Sequence, residues 1–290
     1  YTSEKWMSGI FRDLGFDFLN TYPDVYGLLE NVALDSAGIT RVHKLASGEL
    51  KGQGVIIGFI DTGIDYINNV FRYDDGTSKI LALWDQTIED GQEHDVLFGS
   101  TYSQEDINVA VSSENPYEVM PHVDNEGHGT FLASIAAGRE SAEFSGAAPD
   151  SEIIAVKLKK ASPYYLRKYL VPEEQENAYE SGDVMLGINY ILEIAMGLGR
   201  PCVICLALGT NFGAHNGTSQ LENYMSYLSA GPGVVFCTAG GNEGISRHHT
   251  QGVVTRGGET QEIDIYVGES ESSFNVYVWY SGWDKISMSI

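Results

Sequence analysis

The sequence predicts an α/β fold: a doubly wound parallel sheet with helices on both faces. Three observations carry that expectation. Val55 to Ile60 is a short, continuous, β-branched apolar run, the pattern of a strand buried on both faces. Similar runs recur at Glu152–Leu158, Cys202–Leu208 and Val234–Ala239, separated by stretches patterned as helices. Strands alternating with helices imply parallel pairing through right-handed crossovers. The first run also stops abruptly at Asp61-Thr62-Gly63. In open α/β sheets ligands lie outside the carboxyl ends of the strands, so an acid there faces a site.

Taken in order, residues 1–35 are aromatic-rich and irregular (Trp6, Phe11, Phe16, Phe18), and read as an arm or a pro-segment remnant. Leu34–Ala46 is expected to be helical, with Asp35 and Ser36 near its start and Gly48 beyond its end. Gly52-Gln53-Gly54 leads into the organising strand. Residues 72–120 are polar and rich in acids, and so long a tract inside a compact domain reads as a functional segment or an insertion. The small residues Thr130–Ala137 suit a tightly packed helix ended by Gly138, with His128 at its first turn between Gly127 and Gly129. Gly146-Ala-Ala-Pro-Asp150 enters the second strand. Asp183–Leu198 is an amphipathic helix with Val184, Ile188, Ile191, Leu192 and Ala195 on one face. Gln220–Ser229 is the next helix, and the fourth strand ends in Gly240-Gly-Asn-Glu-Gly244. After about residue 251 the pattern changes: Glu262–Val267, Phe274–Tyr280 and Ile286–Ile290 look like strands without intervening helices, the start of an antiparallel module.

Composition narrows the functional classes. With 290 residues the chain can bury a sizeable core. A net charge of −23 argues against nucleic-acid binding, which needs clustered cations. No apolar run approaches the roughly 18 residues of a membrane helix, and the first twenty residues do not resemble a basic-then-apolar signal peptide. Three cysteines make no disulfide framework. Cys202 and Cys205 have C-x-x-C spacing, but in a strand positions i and i+3 face opposite sides, so both are expected to be core thiols.

Asp61, His128 and Asn242 are the candidate catalytic residues. Acyl transfer needs these types together: a carboxylate orients an imidazole, the imidazole deprotonates a nucleophile, and an amide donor holds the oxyanion. Ile60-Asp-Thr-Gly63, Gly127-His-Gly-Thr130 and Ala239-Gly-Gly-Asn-Glu-Gly244 stand in an order and spacing that resemble the Asp, His and oxyanion-Asn motifs of the subtilases, the subtilisin-like serine peptidases. The resemblance spans about residues 36–250. It is sharpest for the subtilases of spore-forming clostridia, including the germination type, through Leu83-Trp-Asp-Gln-Thr87, Ser113-Glu-Asn-Pro116, Gly209-Thr-Asn-Phe-Gly-Ala-His215 and Arg247-His-His249. That subgroup carries a β-sandwich inserted after the Asn motif, matching the change of pattern at 251–290.

The resemblance implies a serine endopeptidase acting on peptides or proteins, with Asp61 fixing the ring tautomer, His128 the general base and Asn242 an oxyanion donor. It also implies that Ala207, Leu208 and Gly209 pair with an extended substrate. No cofactor is required, although structural calcium is compatible with the family, and Asp74, Asp75, Glu89 and Asp90 are candidate loop ligands. An extracellular, spore or cell-envelope location is implied in the same way. His122 and His128 flank several acids, but their spacing fits no common metal pair.

One departure is decisive. The family's nucleophile lies in Gly-Thr-Ser-x-Ala after the Asn motif, and no serine after residue 242 has that context. Gly217-Thr-Ser219 precedes Asn242, and Ser219 reads instead as a helix N-cap. The chain alone is therefore expected to be inactive, with the Ser motif on further sequence or on a second fragment. The alternative is a pseudoprotease that acts as a binding or sensing partner.

Overall fold

A computed structural model describes residues 32–45, 48–89, 95–142, 144–172, 174–175, 177–269 and 273–289. Most of the expected N-terminal arm lies outside the described residues. Six strands form one sheet: β1 (Ile56–Asp61), β2 (Ile80–Asp85), β3 (Ser100–Ser103), β4 (Glu152–Lys157), β5 (Cys202–Leu206) and β6 (Val234–Thr238). Their order is β3-β2-β4-β1-β5-β6. Every pairing is parallel except β2 with β3. The chain is thus doubly wound about β1, which sits between β4 and β5 with all six residues buried.

Alternation along β1 assigns its side chains to two cores. Ile56 and Ile60 meet Val184, Ile188, Ile191, Leu192 and Ala195 of the helix α7 (Ser181–Gly197), the face expected from the sequence. Ile57 and Phe59 meet Ala133 and Ala137 of the helix α5 (His128–Ala137), together with Ile107 and Ala110 of α3 (Gln104–Ser112). Each fully buried aliphatic side chain contributes roughly 1.5–3 kcal/mol. The remaining helices are α1 (Val32–Ser36), α2 (Ile39–His43), α4 (Pro116–Val119), α6 (Pro163–Lys168) and α8 (Gln220–Ser229).

Three expectations need correction. The single helix at 34–46 is two short helices, broken at residues 37–38. The polar tract 72–120 is part of the sheet: Ile80-Leu-Ala-Leu-Trp-Asp85 is a buried strand, and β3 closes that side as an antiparallel edge. Asp74 and Asp75 in the preceding turn, and the acids that follow the strand, hid the apolar run between them. Beyond residue 251 the described residues contain no strand. A strand is defined by its ladder, and here Tyr266 is 93% and Trp283 96% exposed, so no facing layer supplies one.

The cysteines behave as separate core or strand residues. Cys202 packs under α7, Cys205 packs on the α5 side, and all three are free thiols. Burial pushes the Cys202 thiol up to about 11, which keeps it protonated and inert.

Lys79, at the entry to β2, is 1% exposed. Its ammonium donates to the carbonyls of Ala137 (2.6 Å) and Pro149 (2.5 Å), and so satisfies the C-terminal end of α5.

Candidate active site

β1 and α5 bring the first two candidate residues together. Asp61 ends β1 and is 2% exposed, whereas His128 opens α5 with half of its side chain in solvent. The His128 Nδ1–H donates to Asp61 Oδ1 over 2.7 Å. A proton held on Nδ1 leaves Nε2 as the basic nitrogen. The Thr62 N–H donates to the same Asp61 oxygen at 2.8 Å. Asp61 Oδ2 is buried without a partner among the described residues.

This contact requires glycine on both sides of His128. Gly127 has φ 78°, a left-handed conformation that starts the helix. At Gly129 a Cβ would stand 2.1 Å from the Gly63 carbonyl oxygen and 3.2 Å from Asp61 Cβ, so backbone meets backbone there. The Gly-His-Gly pattern thus encodes the close approach of α5 to the β1 turn.

Asp124 fastens the two pieces. Its Oδ1 accepts from Thr62 Oγ1 (2.8 Å) and the Gly127 N–H (2.9 Å). Its Oδ2 accepts from the Thr130 N–H (2.9 Å) and Thr130 Oγ1 (2.6 Å). Thr62 Oγ1 in turn accepts from the Gly129 N–H at 3.0 Å. Burial alone would raise the Asp124 carboxyl, but the hydrogen bonds from Thr130, Thr62 and Gly127 outweigh it and hold it below the usual range. An anion at the start of α5 also complements the helix dipole.

A second Asp–His pair lies beside the first. His122 and Asp85 are both fully buried, and His122 Nδ1 is 2.6 Å from Asp85 Oδ2. His122 Nε2 lies 3.2 Å from the Ile64 nitrogen and 3.1 Å from its carbonyl oxygen. Although burial pushes the Asp85 carboxyl up, hydrogen bonds from His122 and Thr87 and the nearby Lys157 bring it below its ordinary value. The sequence placed Asp85 in the family-like segment Leu83–Thr87 and Asp124 in a polar loop, but assigned neither a role; those roles show once β2 and the 122–128 loop are placed.

The remaining candidates stand at the same carboxyl edge. Ala207, Leu208 and Gly209 follow β5, the first two half-buried and Gly209 exposed. Asn242 is exposed in the loop after β6, two strands from β1, or about 10 Å at ordinary strand spacing. Glu243 ties that loop to the one after β5 by accepting from Asn211 Nδ2 at 2.7 Å. Ser219 caps α8: its Oγ accepts from the Glu222 N–H (3.2 Å) while Glu222 accepts from the Ser219 N–H (2.8 Å). A cleft of about 390 Å³ beside the start of α5 is lined by Asp65, Tyr117, Val123, Thr130 and Phe131.

Of the candidate loop ligands for calcium, the three described ones are each engaged separately. Asp74 pairs with Arg139, Asp75 closes its own turn onto Thr77, and Glu89 accepts from the Gly99 N–H. Asp90 lies outside the described residues. No group of three or more acidic, histidine or cysteine side chains suited to a metal occurs among the described residues. His122 and His128 each bond a different aspartate, so they do not form a shared ligand pair.

Comparison with known proteins gives three kinds of result. The model of the subtilase family, Peptidase_S8, matches residues 52–275. The solved structure of the Clostridium perfringens CspB protease is 31% identical with a TM-score of 0.63, covering 74% of this chain and 42% of that one. This chain therefore spans less than half of that protein's length. Sphericase (20% identity, TM-score 0.44, 71% of this chain and 53% of that one) and an S41 psychrophilic protease (19%, 0.43, 71% and 52%) also match. None of the curated proteins matches the chain.

Proposed function

The chain belongs to the subtilase family, and we propose that it is the first part of a serine endopeptidase's catalytic unit. The observation that carries this reading is the 2.7 Å contact from Nδ1 of half-exposed His128 to buried Asp61, which leaves Nε2 as the ring nitrogen not engaged by that carboxylate. In the proposed reaction His128 Nε2 takes the proton of a serine hydroxyl as that oxygen attacks the peptide carbonyl, and later returns it to the leaving amine. Asp61 stays ionised, holding the tautomer and stabilising the imidazolium. The side-chain amide of Asn242 donates to the carbonyl oxygen as it becomes an oxyanion. Residues 207–209 pair with the extended substrate backbone.

The nucleophile, in this proposal, comes from chain outside residues 1–290 or from a second fragment. Two features support this. Ser219 is engaged in its capping box. On the α5 side of the sheet, Val235 (52% exposed) and Cys237 of β6 are exposed.

The test is fluorophosphonate labelling of the 290-residue protein and of the protein extended to a Gly-Thr-Ser-x-Ala segment. The expected result is no labelling of the shorter chain and stoichiometric labelling of the longer one at the added serine. His128→Ala should abolish labelling with the fold retained. An extended, folded protein that never labels would refute the peptidase reading in favour of a pseudoprotease. Labelling at a serine within residues 1–290 would refute the proposed origin of the nucleophile.

A further inference from the structure

Asp61, Lys157 and Asp85 occupy one register row across three neighbouring strands: Asp61 pairs with Lys157, and Lys157 with Asp85. Each aspartate at the ends of this row carries a histidine, His128 on Asp61 and His122 on Asp85. The two pairs differ in exposure. His128 is half in solvent, while His122 and Asp85 are sealed. A sealed imidazole next to a carboxylate is costly unless its second nitrogen is also used.

That nitrogen is used on the backbone directly following Asp61. His122 Nε2 lies at hydrogen-bond distance from the Ile64 N–H, and its ring lies against Gly63, where a Cβ would stand 3.1 Å from Cε1. The same short loop is held at its next two residues. Lys157 Nζ donates to the Val123 carbonyl at 2.6 Å, and Asp124 accepts from Thr62 Oγ1. Four residues further on, the loop delivers His128.

We propose that the Asp85–His122 pair is a positioning device for the Asp61–His128 contact. His122 holds its proton on Nδ1 toward Asp85, and its Nε2 lone pair accepts the Ile64 N–H. The Ile64 carbonyl oxygen also lies 3.1 Å from Nε2, and the Asp85 carboxylate has Lys157 3.8 Å away and accepts two hydrogen bonds from Thr87. The ring thereby fixes the turn after Asp61 and the loop before His128 against each other from below. The catalytic relevance of this device rests on the peptidase reading; the geometry it enforces does not.

The test is ring-nitrogen NMR on the 290-residue protein with its histidines labelled. In the wild type, His122 should be the Nδ1–H tautomer, and the His128 Nδ1–H proton should be observable and slow to exchange. His122→Phe fills similar space but cannot bond Ile64 or Asp85. It should speed exchange of the His128 proton about tenfold or more, as expected for loosening one charge-assisted hydrogen bond. His122→Gln can still accept the Ile64 N–H and should stay within about twofold of wild type. A purely structural His122 would lower stability in both variants without moving the His128 signal below the unfolding transition. An unchanged His128 signal in folded His122→Phe would overturn the proposal, as would an Nε2–H tautomer in the wild type. Should His122→Phe not fold, the wild-type tautomer and the His122→Gln exchange rate decide. Failure of the extended protein to hydrolyse peptides would count against the peptidase reading alone, since the NMR response does not depend on turnover.

Discussion

Replacing Gly129 by alanine should separate the two halves of the candidate site. The added Cβ would stand 2.1 Å from the Gly63 carbonyl oxygen, and Cβ atoms essentially never approach closer than 3.0 Å. The helix start and the β1 turn must therefore part by about 0.9 Å. Neither side can yield cheaply, because both atoms ride on backbone fixed by Asp124 and Thr62. Added to the 2.7 Å contact between His128 and Asp61, such an opening carries it to about 3.6 Å, outside hydrogen-bonding range. Overpacking costs about 1–3 kcal/mol and the lost charged hydrogen bond about 1.5–3 kcal/mol. The better helix propensity of alanine returns at most about 1 kcal/mol, so the steric effect wins. Urea unfolding should show a net loss of about 2–5 kcal/mol, and the His128 Nδ1–H signal should disappear. A variant as stable as wild type with that signal intact would refute the close-approach reasoning.

Three further outcomes are expected. In a protein extended to include the nucleophile, Asp61→Asn should lower peptide hydrolysis on the order of 10⁴-fold with the fold unchanged, because the amide favours the wrong His128 tautomer; a loss under tenfold in a steady-state assay would contradict the assignment. Ser219→Ala should cost about 1 kcal/mol in chemical denaturation and leave hydrolysis nearly intact, since the side chain caps α8. Asp124→Asn should cost about 2–4 kcal/mol at neutral pH, because an amide nitrogen cannot accept from Thr130. The Asp124 pKa is lowered by folding, so its contribution is complete above the unfolded value of about 4 and is lost as pH falls through the lower folded one; the gap between Asp124→Asn and wild type in urea titrations should narrow below pH 4.

The parallel strands were legible because burial on both faces writes an unbroken apolar run, as in Ile56–Ile60 and Ile153–Val156. β2 carries the same signal but follows the turn acids Asp74 and Asp75 and ends in Asp85, and a window averaged over the tract loses it. The Asp61–His128 contact was legible through the neighbouring glycines, since Gly63 and Gly129 stand where backbone approaches closely. Asp85 and His122 were not, because they lie 37 residues apart and their pairing exists only once β2 has been placed beside β4. The strands expected after residue 251 failed for the opposite reason: alternation marks a capacity to pair, and pairing is a property of two segments.

The buried lysine just before β2 gives the site a mechanical character. Lys79 grips the last carbonyl of α5 and the Pro149 carbonyl, while Asp124 grips the helix's first amides. A rod clamped at both ends can neither slide along its axis nor swivel about it. Motion that reaches His128 must then come from bending its side chain or from carrying β1, β2 and the helix along as a single body. The imidazole is in effect mounted on the sheet, and the stiffness of its mounting is that of the whole central layer.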